Sequence, residues 1–367
     1  MKSLRIVLII AIFALSAITG FSENDLIYIL TILIFAVFVF FEIRTVYLNK
    51  KNQSLSFFKS AALKIVYIIL LGFTFMFIKD LSLAFGDSEK NKFKTVHTNN
   101  SEVERANGAF NFISYIEDLK DAASAFSSKA DTINYKNKSF EFLTIKCEPK
   151  KQENKILIIG SVHGDEPAGA LSIPLLLKDL VQNSEKYKNT ALYILSPMNP
   201  VGLAFTSRQN ENGCNINRDF ESKTQIETNY IINAITDFKP DLILDLHENH
   251  GWYKTCLRAN ELCGNAFGEL VCKNLSEDKI ELATEAFDND NLKPKGWDKQ
   301  TLYRKLLRKI VKFGDLRSYG ESNNIPVIVL ECDQSLPIEK RIAICLSTIQ
   351  ASILNFKLLR KEKRNEI

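Results

Sequence analysis

Four polar residues stand where apolar stretches of this chain have just ended. His163 and Glu166 follow KILIIGS (155–161), within Val-His-Gly-Asp-Glu-Pro; His247 follows DLILDL (241–246); Glu331 follows PVIVL (326–330). A buried strand has no structural reason to finish in an imidazole or a carboxylate, because unpaired polar groups are costly inside a protein. Three such strand ends point to one convergent site. Two histidines and a carboxylate are a ligand set for catalytic zinc, with the fourth position left to water. His163 and Glu166, separated by two residues in a turn that contains glycine, can face one ion, and His247 completes the set, for one zinc per chain. Zinc lowers the pKa of its water to about 7 and polarises a carbonyl. Glu331 is then the candidate general base, taking the proton of the water and passing it to a leaving amine. Asp245 shares a strand face with His247 and is placed to orient it. Asp165, Glu248 and His250 are alternative ligands from the same two segments. His-x-x-Glu alone is a weak signal; its weight comes from where it stands.

Between the two metal segments lies NPVGLAFTSRQNENGCNINRDF (199–220), rich in Asn, Gly and Arg and without periodicity. It reads as a long ordered loop, and such loops in compact domains are often functional. The forked donors of Arg208 and Arg218 suit a carboxylate, and Asn217 can add a hydrogen bond.

The elements that must position these residues alternate. Strands are expected at 140–148, 155–161, 191–197, 241–247 and 326–332, and helices at 110–129, 167–180, 222–237, 261–276, 298–312 and 337–360. Runs that are apolar throughout suit strands buried on both faces. Strands alternating with helices give an α/β domain with a mixed, mostly parallel sheet flanked by helices. In such sheets ligands sit at the C-terminal ends of strands, where the four polar residues lie.

Charge is nearly balanced, with 47 Lys+Arg against 43 Asp+Glu. That removes any electrostatic argument for a nucleic-acid partner. Of the four histidines, only His97 lies outside these segments and their surroundings, in a polar stretch. The seven cysteines (147, 214, 256, 263, 272, 332, 345) form no CxxC pair; bridges among Cys256, Cys263 and Cys272 are conceivable outside the cytoplasm, and buried thiols are the plainer reading.

The first 85 residues differ from the rest. Apolar runs occupy 6–18, 26–41 and 65–78. A spanning helix needs about 20 mostly apolar residues, so about three transmembrane helices are expected, near 4–21, 26–43 and 62–80. Lys2 and Arg5 precede the first run, and Arg44, Lys50, Lys51, Lys59 and Lys64 follow the second. By the positive-inside rule the N-terminus and the 43–64 loop are cytoplasmic. This predicts a multi-pass membrane protein, with the lipid bilayer as a partner and the later domain extracytoplasmic or periplasmic. The first run also resembles a signal peptide. Residues 86–108 read as a linker, and 109–367 as the catalytic domain.

Taken together, HGDE (163–166), the NP…R…NINRDF loop, DLHE (245–248) and LE (330–331) resemble the zinc carboxypeptidase family, the carboxypeptidase A-like metallopeptidases, and also its succinylglutamate desuccinylase/aspartoacylase branch. The resemblance covers about residues 150–335. It implies His163, Glu166 and His247 as zinc ligands and Glu331 as the general base. It implies Arg208 as the group that polarises the scissile carbonyl and stabilises the oxyanion. It makes Asn217 and Arg218 the pair that binds a terminal carboxylate. Asp165, Glu248 and His250 fall outside its pattern. A tyrosine before the catalytic Glu is part of the peptidase pattern, and Tyr319 is the nearest candidate. The implied fold is a mixed eight-stranded sheet flanked by helices. The implied activity is hydrolysis of an amide bond next to a free carboxylate, in a membrane-anchored metallocarboxypeptidase acting on cell-wall or other extracytoplasmic peptides. A deacylase of N-acyl amino acids uses the same chemistry, and an inactive zinc- or ligand-binding module is the third reading.

Overall fold

The computed structural model describes residues 111–249, 254–285, 292–299 and 314–365, with side chains to 356. The chain divides into two units, Met1–Lys90 and Asn91–Ile367, and all described residues belong to the second. In chain order they form α1 (Phe112–Ala123), β1 (Ser127–Tyr135), β2 (Lys138–Cys147), β3 (Asn154–Gly160), α2 (Ala168–Gln182), α3 (Ser184–Tyr187), β4 (Thr190–Ser196) and α4 (Pro200–Ala204). A 3₁₀ turn at Ile216–Arg218 follows, then α5 (Ile226–Phe238), β5 (Leu242–Asn249), β6 (Cys256–Ala259), α6 (Asn265–Glu277), β7 (Trp297–Lys299), α7 (Leu316–Ser322), β8 (Val327–Asp333) and α8 (Ile338–Asn365).

The strands make one eight-stranded sheet in the order β1-β2-β4-β3-β5-β8-β6-β7. The central strands β4, β3, β5 and β8 run parallel, while β1, β2 and β6 join antiparallel. The sheet is therefore mixed, as the sequence pattern indicates. Its central strands alternate between two apolar layers. Ile156, Ile158, Leu242, Leu244 and Leu246 face α1, α2, α6 and α8. Leu157, Ile159, Ile243, Val327 and Val329 face α5 and α7. Continuous apolar runs were needed because both faces of these strands are covered.

Three strands were not legible. SSKADTINY (β1) buries only Ile133, so it carries no alternating signal. It forms because Lys136 and Asn137, at φ 47° and 63°, make a two-residue turn of positive φ, the geometry that suits the twist of a tight hairpin. The helix expected at 110–129 ends earlier, at Ala123. Its start is set by Asn111, whose Oδ1 accepts from the amides of Ile113 and Ser114. β6 and β7 have four and three residues, too few for a period. Residues 297–299 are strand where a helix was expected to begin, and 300–313 lie outside the described residues.

No helix among the described residues is long and apolar enough to cross a membrane. That corrects the multi-pass, extracytoplasmic placement for the described residues, and no finding supports the bilayer as a partner. The longest helix, α8, shows why length alone does not suffice. Ile344, Cys345, Ile349, Ile353 and Phe356 are buried in the core, while its first turns carry Glu339, Lys340 and Arg341; this is a core-facing stripe. The three N-terminal apolar runs and the 86–108 linker lie outside the described residues. The seven cysteines are all free thiols and six are buried, so the bridges conceived among Cys256, Cys263 and Cys272 are not formed.

The long loop after α4 is held to α5. Asn210 Oδ1 accepts from the amides of Asn212 and Cys214, and its Nδ2 donates to Gln225 Oε1 and Glu227 Oε2. Glu227 is fully buried. Burial pushes its carboxyl up to about 8, and the neighbouring Glu211 carboxylate adds to the rise. An unfolded Glu titrates near 4.3. Between those values the folded chain holds a proton that the unfolded chain releases, so stability falls as pH rises through the window and levels off above it. The urea midpoint should therefore drop from pH 5 to pH 8, and Glu227→Gln should flatten that part of the profile. An unchanged slope in the variant would remove Glu227 as its source.

Candidate metal centre and active site

The site is assembled by strand register. Gly160 of β3 pairs with Leu246 of β5, and His247 of β5 pairs with Glu331 of β8. The chain leaves β3 through Ser161, at φ 58°, and Ser161 Oγ donates to the carbonyl of His163. The turn then packs directly on the start of α4: a Cβ on Gly164 would lie 1.9 Å from the carbonyl carbon of Gly202. Only glycine permits that approach, and the Gly164 amide donates to Ser207 across it.

His163, Glu166 and His247 are brought together in the interior, each offering a ligand atom, all within 4.8 Å of one another. They are 2%, 1% and 3% exposed. The outer ring nitrogens have their own partners: His247 Nε2 lies 2.9 Å from Asp245 Oδ2, and His163 Nε2 lies 3.0 Å from Asn215 Oδ1. Oxygen acceptors there place the ring proton on Nε2 and turn each Nδ1 inward. The two Nδ1 atoms are 3.0 Å apart, with Glu166 Oε1 at 2.8 Å from His163 and Oε2 at 2.7 Å from His247. Inward-facing imidazole lone pairs and a carboxylate repel each other unless a cation lies among them. The donor set therefore fits a metal ion, and its nitrogen–oxygen chemistry suits zinc.

The surrounding groups push the two imidazoles in opposite directions. Burial lowers the His163 imidazole to about 4, and the Arg208 guanidinium pushes the same way. Burial also acts on His247, but the Asp245 and Glu166 carboxylates outweigh it and raise that imidazole well above its usual value. Burial works against ionisation of Glu166, yet the two imidazoles hold its carboxyl well below the usual range. Glu331 sits one strand from His247. Burial raises its carboxyl, opposed chiefly by Arg258; a raised carboxyl is suited to proton transfer near neutrality.

The long loop brings Arg208, Asn217 and Arg218 to this cluster or beside it. Arg208 Nη1 donates to Glu166 Oε1 at 2.7 Å. Asn217 Oδ1 accepts from the Leu316 amide, and its Nδ2 lies 3.4 Å from His247 Nε2, a contact rather than a hydrogen bond because that nitrogen already donates to Asp245. Arg218 Nη1 donates to the Asn217 carbonyl. Tyr319 lies elsewhere: its ring, on α7, packs on Phe220 at 5.7 Å and under the Lys223 ammonium.

Of the alternative ligands, Glu248 faces away from the cluster because successive strand residues alternate sides. Its Oε1 accepts from the Ala168 amide at the start of α2, and its Oε2 is paired with Arg341 of α8. Asp165 is outside the three-residue cluster, its carbonyl accepting from Gln334. His250 is outside the described residues. Asn215, Arg258 and Arg341 were missed by sequence reasoning. Asn215 had a signal, two residues before Asn217 in the same loop; Arg258 and Arg341 had none.

Comparison with known proteins follows the same lines. Residues 152–277 match the family model described as the succinylglutamate desuccinylase/aspartoacylase catalytic domain. "Probable carboxypeptidase 2" of Arthroderma benhamiae is 27% identical over 130 residues, 33% of this chain and 25% of that one. "Carboxypeptidase 2" of Trichophyton rubrum is 29% identical over 104 residues, 27% of this chain and 19% of that one. The matched part thus spans a quarter or less of these relatives' length. The crystal structure of a "putative metallopeptidase" from Shewanella denitrificans has a TM-score of 0.52 at 17% identity, covering 68% of this chain and 90% of that one. A second, from Shewanella amazonensis, gives 0.52 at 18%, covering 69% and 93%. These two establish the carboxypeptidase-like fold.

Two substitutions test the centre. Asp245→Asn should weaken zinc binding by about 10–100-fold, the usual cost of losing a ligand's outer partner; titration calorimetry on the metal-stripped chain reads it, and unaltered affinity would free Asp245 of that role. Gly164→Ala should cost about 1–3 kcal/mol of stability through overpacking and weaken zinc binding with it, whereas a change confined to stability would detach the turn from the centre.

Proposed function

We propose that this chain is a member of the zinc carboxypeptidase-like family that includes the succinylglutamate desuccinylase/aspartoacylase branch, and a zinc metallohydrolase cleaving an amide bond beside a free carboxylate. The observation that carries the reading is the cluster of two inward Nδ1 atoms and the Glu166 carboxylate, with Glu331 one strand away.

His163, Glu166 and His247 would hold the ion. Bound zinc supplies a Lewis acid that acidifies water and polarises a carbonyl. Glu331 takes the proton of the attacking water on its carboxylate and delivers it to the departing amine. Arg208, fixed beside Glu166, meets the negative charge that develops on the carbonyl oxygen. Asn217 and Arg218 hold the substrate carboxylate and so set which amide reaches the centre. Asp245 and Asn215 keep both imidazoles turned for coordination.

The leading substrate class is a peptide with a free C-terminal carboxylate. N-acyl amino acids are the second class, favoured by the domain match over residues 152–277. Both carry an amide next to a carboxylate and place the same demands on the site.

The zinc-loaded full chain should release the terminal residue from N-acylated dipeptides, followed by chromatography of the products. Turnover of N-acyl amino acids with none of peptides would transfer the assignment to the second class. Glu331→Gln should lower kcat by about 10²–10⁴-fold, the usual range for a general base, with zinc content unchanged. Full turnover in that variant would remove Glu331 from the chemistry, and no turnover of either class by the parent chain would leave a binding module.

A further inference from the structure

One row of charge beside the centre is not used by the chemistry above. β6 runs antiparallel to β8, with Cys256 opposite Glu331 and Arg258 opposite Val329. It runs parallel to β7, with Arg258 opposite Asp298. Side chains alternate faces along a strand, so Val329 and Glu331 share one face with Cys256 and Arg258. Diagonal neighbours on a face are about 7–8 Å apart, within reach of a long side chain. Arg258 spans that gap. Its Nε lies 3.3 Å from Asp298 Oδ2 and its Nη1 lies 3.7 Å from Glu331 Oε1. A carboxylate, a guanidinium and a second carboxylate thus cross three adjacent strands and end at Glu331.

The two contacts differ in kind. Asp298 is buried and takes the Nε end of the rigid guanidinium, which anchors it. The 3.7 Å approach to Glu331 is an ion pair rather than a hydrogen bond. It steers and balances the carboxylate without occupying the lone pairs that must accept a proton from water. A bidentate pair would fill both oxygens. Among the described residues, Arg258 is the only ion-pair partner of Glu331.

We propose that Arg258, anchored by Asp298, is a positioning residue that fixes the Glu331 carboxylate for its work as the general base. The proposal rests on the assignment of Glu331 above.

The test uses the zinc-loaded full chain and whichever amide class it turns over. Arg258→Met should lower kcat by about 10–100-fold, the scale of a misplaced reacting group, with KM and zinc content held within about twofold of the parent. Arg258→Lys should restore part of the loss, and Asp298→Asn should fall between the two. In a Glu331→Gln background, Arg258→Met should change kcat by less than about twofold, because nothing is left to position. A rise in KM with kcat intact would make Arg258 a substrate contact. A full loss of kcat persisting in the Glu331→Gln background, or loss of zinc, would overturn the proposal too. Failure of the underlying assignment is seen separately, as full turnover in Glu331→Gln alone. A readout independent of turnover is thermal unfolding of the parent, both single variants and the double variant. The two Tm shifts should be non-additive, and additive shifts would deny the pairing.

Discussion

Glu166 is an ionised carboxylate in the interior, and the site is arranged around the need to compensate it. Its two oxygens accept from the Arg208 guanidinium and the backbone amide of Glu248, and they lie beside His163 Nδ1 and His247 Nδ1, with which they would share a cation. Those partners come from the turn after β3, the end of β5 and the loop after α4. A charge taken out of water is tolerated only when such partners are in place. One carboxylate therefore ties together three segments far apart in sequence. It also explains why the turn must lie flat on α4, where Gly164 meets Gly202 without a side chain between them.

Alternation along β5 divides the work of neighbouring residues. Asp245 and His247 point to the centre, one orienting the other. Glu248, between strand and helices, turns to the opposite side and joins the first amide of α2 to Arg341 of α8. The same strand thus holds the metal cluster with one face and clamps two helices with the other. α8 supports the centre without approaching it, through a buried ion pair whose removal on one side would leave an uncompensated charge.

Parallel pairing of β3, β5 and β8 has a further consequence. Strands that run the same way bring their C-terminal ends to one edge, so residues that end separate apolar runs meet without any local sequence link. The antiparallel β6 then enters from the side and delivers Arg258 to the same edge. Ligands and base come from the parallel part of the sheet, and the charge beside the base comes from the antiparallel part.

The sequence by itself determined the α/β class, five of the strands, four of them continuously apolar, and the strand-end placement of His163, Glu166, His247 and Glu331. Each of those signals is local: a run of apolar residues has to be buried on both faces wherever it lies, and a polar group at its end has to be solvated or used. Tertiary structure alone decided what depends on pairing between distant segments. The polar β1 is a strand because of its hairpin turn and its partner β2, not because of its composition. Glu248 was separated from His247 by strand alternation once β5 extended through Asn249. Asn215, Arg258, Asp298 and Arg341 gained their roles from register and packing over tens of residues. Tyr319 was placed by helix packing against Phe220. The reason is the same in each case: a side chain's partner across a sheet or between helices is set by the fold of both segments, and neither segment's own residues specify it.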